Sequence, residues 1–127
     1  MRHFAIMLVL ALTPLVALAQ GASLAETDAV ARIAECIVEG APPDWKSLFM
    51  VVDLEKPGDE TGKVRYVALR LSQPDQLIAY TPCDLRKPAM ILLEARKRLA
   101  PERKGWIGAR ITLHQDGKFE LHYDYPK

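Results

Sequence analysis

The chain is poor in the residues that usually announce chemistry. It holds three histidines and two cysteines in 127 residues, and only His114 and His122 lie beyond the extreme N-terminus. Neither cysteine sits in a Cys-x-x-Cys pair. No His-Glu-x-x-His or Gly-x-Ser-x-Gly occurs, so the common spacings for a zinc site or an activated serine are missing. Gly58 and Gly62 fall in a polar loop without the strand–loop–helix setting of a phosphate cradle. The formal net charge is +1, too balanced for the basic field that nucleic-acid binding needs. These gaps predict no enzyme activity, no catalytic residue, no metal, no cofactor and no nucleic-acid partner.

What is present begins with a leader. Arg2 and His3 precede an apolar run from Phe4 to Leu12, Thr13-Pro14 interrupts it, and Leu15 to Ala19 follows. Ala17-Leu18-Ala19 has the small-x-small form of a cleavage site, with Gln20 as the mature N-terminus. The run is shorter and more broken than the roughly 20 apolar residues of a membrane span, so no stable membrane anchor is expected. Residues 1–19 read as a signal peptide and 20–127 as a single domain. A periplasmic location follows. In that oxidising compartment Cys36 and Cys83 have one pairing open to them, and a bridge closing so long a loop contributes roughly 3–4 kcal/mol.

The pattern downstream is α+β. Ser23-Leu24-Ala25-Glu26 has capping-box spacing, and Val30, Ile33, Ala34, Ile37 and Val38 share one helical face. A first helix is predicted over 24–39, stopped by Gly40 and Pro42-Pro43. Trp45 to Leu54 reads as a strand with Leu48, Met50, Val52 and Leu54 on one side and Phe49, Val51 and Asp53 on the other. Both sides are largely apolar, so the second side implies extra burial and leaves room for a homodimer. A polar loop from Lys56 to Lys63, expected to be exposed and mobile, leads to a second strand over 64–72. A short third strand over 77–80 precedes a second helix with Pro88 in its first turn. The basic cluster Arg96, Lys97, Arg98, Arg103 and Lys104 reads as a solvated cap at the end of that helix. The fold expected is an antiparallel sheet of four to five strands with two helices packed on one face.

The last hairpin has a decidable register. A two-residue Asp116-Gly117 turn would set Leu113 opposite Glu120 and Ile111 opposite His122. A three-residue loop, Gln115-Asp116-Gly117, sets Leu113 opposite Phe119, Ile111 opposite Leu121 and Ala109 opposite Tyr123, which makes one face wholly apolar. The buried face selects register, because a one-residue slip turns every side chain over. A type I turn with a left-handed Gly117 and a bulge is therefore predicted. The opposite face then carries Arg110, Thr112, His114, Glu120, His122 and Asp124. Arg110, His114, Glu120, His122 and Asp124 are the candidate partner-binding residues, with the 56–63 loop as a second candidate surface.

The C-terminal half carries a resemblance. A Leu-rich helix, Trp106, an apolar strand, then Asp116-Gly117-Lys118-Phe119-Glu120 and Tyr123-Asp124-Tyr125 resembles the YezG-like immunity protein family. The resemblance covers about half of the mature chain and implies a small α+β antitoxin that binds and neutralises a cognate secreted toxin. Members of that family typically act in the cytosol, so the leader and the cysteine pair depart from the pattern. A toxin acting in the cell envelope would fit that departure. The alternative expectation is a periplasmic inhibitor of lysozyme-like enzymes or an envelope accessory protein.

Overall fold

The computed structural model describes residues 22–127. The predicted leader lies outside the described residues. Ser23 opens the first helix, α1 (Leu24–Glu39). Its hydroxyl accepts from the Glu26 N–H while its own N–H donates to the Glu26 carboxylate, so the capping box is complete. Val30, Ile33 and Ile37 on its inner face are buried. Next come β1 (Trp45–Asp53), β2 (Lys63–Arg70), β3 (Leu77–Ala79) and the second helix, α2 (Lys87–Arg96). A short 3-10 turn (Pro101–Arg103) leads to β4 (Gly108–His114) and β5 (Phe119–Asp124). The five strands form one antiparallel sheet in the order β3-β2-β1-β4-β5.

Both helices share a core with one side of this sheet. Leu48, Met50 and Val52 of β1, Tyr66 and Ala68 of β2, and Ala109, Ile111 and Leu113 of β4 point into it. They meet Ile33 and Ile37 of α1 and Ile91 and Leu92 of α2. Trp106, fully buried, stacks on Tyr123 with ring centroids 5.2 Å apart. The expected α+β architecture with helices on one face is what the chain adopts. In β2, Tyr66 and Ala68 face the helices, which turns Val67 and Leu69 to the other side.

The predicted hairpin register is present. Leu113 pairs with Phe119, Ile111 with Leu121 and Ala109 with Tyr123. Gly117 has φ of 93° and donates its N–H to the His114 carbonyl, while the His114 N–H donates to the Lys118 carbonyl. Three residues form the turn because only that count puts Phe119, Leu121 and Tyr123 on the helix side.

Cys36, near the end of α1, is bridged to Cys83 with the two Cα atoms 4.9 Å apart. The Cys83 N–H also donates to the Cys36 carbonyl, so backbone and disulfide fasten the same two points. Gly40 passes against Thr81 so closely that a Cβ there would sit 1.6 Å from the Thr81 carbonyl oxygen. The approach to α2 therefore requires glycine at the end of α1.

The basic cluster is only in part the solvated cap its composition suggested: Lys97, Arg98 and Lys104 are exposed, but Arg96 and Arg103 turn inward. Arg96 is buried, lies 5.5 Å over the Trp106 ring, and donates to the Gly58 and Asp59 carbonyls. Those contacts tie the 56–63 loop to α2, so a loop expected to be mobile is anchored at its middle. Arg103 reaches back to Glu26 in α1. Two of the five cations are thus structural, drawn inward because a carboxylate and two free carbonyls lie within reach.

Candidate functional site

The sheet has a second face, and no helix covers it among the described residues. Strand register places its side chains in rows. One row runs Leu77, Leu69, Ser47 and His114 across β3, β2, β1 and β4. The next runs Ala79, Val67, Phe49, Thr112 and Glu120. A third holds Arg65, Val51, Arg110 and His122. The face is therefore divided. Over β3, β2 and β1 it is an apolar strip bounded by the exposed Arg65, with Leu77 at 57% exposure and Phe49, Val51, Val67 and Leu69 half-buried. Over β4 and β5 it is polar.

All five expected contact residues lie on the polar half. Arg110 is directly opposite His122 in the ladder, and Thr112 is opposite Glu120. His114 Nε2 is 2.8 Å from a Glu120 carboxylate oxygen, and His122 Nε2 is 3.2 Å from Asp124 Oδ1. The two histidines thus each have a carboxylate on the same face, which leaves Arg110 as the exposed cation between the pairs.

Sequence reasoning missed Ser47 and the apolar strip. Ser47 Oγ stands 3.2 Å from His114 Nδ1, completing a line from Ser47 through His114 to Glu120. A hydroxyl, an imidazole and a carboxylate in series can relay a proton. Here Ser47 is only 4% exposed, so its hydroxyl is held against the imidazole and not offered to a substrate. The arrangement fixes the ring of His114 and, through it, the position of Glu120. The signal for the apolar strip was in the two-sided pattern of β1 and in Val67 and Leu69 of β2. What the sequence did not reveal was that these residues share one face.

A second concavity lies on the helix side. A groove of about 590 Å³ runs between the 56–63 loop and α2, lined by Val64, Tyr66, Leu85, Met90 and Leu93 among others. Met90 stands 64% exposed at its rim. The Tyr66 hydroxyl donates to the Leu85 carbonyl, and burial raises its pKa to about 12, so it offers no base at neutral pH.

Among the described residues no group of three or more His, Cys, Asp or Glu side chains could hold a metal ion. No described helix is long and apolar enough to cross a membrane. No protein-family model matches the chain. No curated protein matches it either.

Proposed function

We propose that this protein is a periplasmic immunity protein whose open sheet face binds and blocks a toxin delivered to the cell envelope. The observation that carries the reading is the divided face. An apolar strip of Phe49, Val51, Val67, Leu69 and Leu77 lies uncovered beside a charged half holding Arg110, Glu120, His122 and Asp124. A contiguous exposed apolar surface rimmed by polar groups is the form of a protein–protein site. The apolar strip supplies burial, and the charged half supplies orientation and selection.

Inhibition by this face needs no chemistry from the protein. The bound toxin loses access to its target by occlusion. A leader over residues 1–19 would bring the chain to the compartment in which such a toxin acts, and the Cys36–Cys83 bridge suits an oxidising one.

The test is to isolate the protein from the envelope with a C-terminal tag and identify what accompanies it. A stoichiometric partner that kills cells when sent to the periplasm alone, and is silenced by this protein, supports immunity. A housekeeping wall-degrading enzyme as partner would replace immunity with the inhibitor reading. Absence of any partner would remove both.

A further inference from the structure

The two edges of the sheet differ. At one end β3 is three residues long, too short to template another strand. At the other end β5 runs for six residues, Phe119–Asp124, without proline or bulge. Its ladder to β4 fixes which backbone groups are used. The His114 N–H donates to the Lys118 carbonyl, so Lys118, Glu120, His122 and Asp124 turn their peptide groups toward β4. Phe119, Leu121 and Tyr123 turn theirs outward, where they have no partner among the described residues.

The side chains along this edge complement their own reversal. An antiparallel copy of β5 with a twofold axis through Leu121 sets Leu121 against Leu121 and Phe119 against Tyr123. It sets Lys118 against Asp124 and Glu120 against His122, and symmetry makes each of these pairs twice. Every apolar residue then falls on the helix side and every charged one on the open side. The axis also falls at a residue whose N–H and C=O point outward, as a hydrogen-bonded central pair requires. Moving the axis to Phe119 or Tyr123 runs the strand ends past each other and loses the Lys118–Asp124 pairs.

We propose that the β5 edge joins a second copy of this chain in that register, giving a continuous ten-stranded sheet. The occupant is a second copy because the charge order of β5 matches its own reverse. The two open faces become one platform, with Glu120, His122 and Asp124 at its seam. This inference stands apart from the toxin reading, since it needs no other protein.

Sedimentation equilibrium from micromolar to millimolar protein reads it out, paired with amide hydrogen exchange over the same range. The wild type dimerises, and the amides of Phe119, Leu121 and Tyr123 gain protection as it does. Lys118→Asp places like charges opposite at two symmetric positions and weakens the dimer about tenfold. The swap Lys118→Asp with Asp124→Lys restores it. Both substituted residues are exposed, and circular dichroism checks that the fold is kept. A monomer at every concentration overturns the proposal. So does a dimer indifferent to Lys118→Asp, or one that the swap fails to restore. Protection of the three amides only when a different protein is added would assign the edge to a partner strand and overturn the second copy.

Discussion

Glu26, in the first turn of α1, accepts hydrogen bonds from both terminal nitrogens of Arg103, 77 residues further along, each at 3.1 Å. The Tyr123 hydroxyl donates to the same carboxylate at 2.6 Å. Glu26 is fully buried, whereas the Arg103 side chain keeps 36% of its surface exposed. One carboxylate therefore caps its own helix, pairs with the turn before β4 and receives β5. Arg103→Leu leaves that carboxylate buried with its charge uncompensated and is expected to cost about 3 kcal/mol, the lower end for breaking a buried pair. Urea unfolding of wild type and variant checks this. A loss below about 0.5 kcal/mol would mean the pair is no more than a surface bridge.

Acid should unfold the protein through the same group. Burial alone would raise the Glu26 carboxyl. Hydrogen bonds from the Ser23 N–H and the Tyr123 hydroxyl, with the Arg103 charge, outweigh burial and hold it below its ordinary 4.5. Asp44, bonded by Arg70 and Ser72, is pulled from 3.8 down to about 2. A depressed folded value means the stabilisation is present above the ordinary value and disappears as pH falls through the folded one. The urea midpoint should be flat above about pH 5 and decline steadily from there to about pH 2. Glu26→Gln should flatten part of that decline. A midpoint that stays level from about pH 5 down to about pH 2 would contradict the assignment.

The Cys36–Cys83 bridge ties α1 to the approach to α2 across 47 residues. Reduction, or Cys36→Ser with Cys83→Ser, should cost roughly 3–4 kcal/mol, chiefly by freeing the unfolded chain. Unfolding curves with and without reductant measure it. Equal midpoints would show that the Cys83–Cys36 backbone hydrogen bond and the packing of α1 suffice.

At Gly40 a methyl group meets the Thr81 carbonyl, and neither neighbour is a flexible side-chain tip. Gly40→Ala is expected to destabilise by about 1–3 kcal/mol, the range for overpacking. Thermal unfolding would register the loss. An unchanged melting temperature would mean that the two segments move apart at little cost.

Much of this was legible in the sequence, and the reasons differ from element to element. The bounds of α1 followed from Ser23, Glu26 and Gly40, all local signals. The β4–β5 register followed from the demand that Phe119, Leu121 and Tyr123 share a buried side. The polar half of the open face came with that register. The apolar half did not, because β2 has apolar residues on both sides and only tertiary packing decides that Tyr66 and Ala68 go inward. Ser47 was invisible for the same reason: its neighbour His114 is 67 positions away and meets it only through the pairing of β1 with β4. Arg96 and Arg103 looked like ordinary surface cations, since composition says nothing of the carbonyls and carboxylate that receive them.

The open face is the centre of the functional account, and one comparison tests it directly. The tagged protein is recovered from the envelope as wild type, as a variant carrying Val67→Glu with Arg110→Glu, and as Lys97→Glu. The first variant changes the apolar strip and the charged half together, while Lys97 is exposed just past the end of α2, on the helix side. Thermal unfolding confirms that all three are folded. The partner is expected to accompany the wild type and Lys97→Glu and to be lost from the doubly substituted face. A partner that stays with the doubly substituted protein and leaves with Lys97→Glu would contradict this and move the binding site to the helix side, around the C-terminal end of α2.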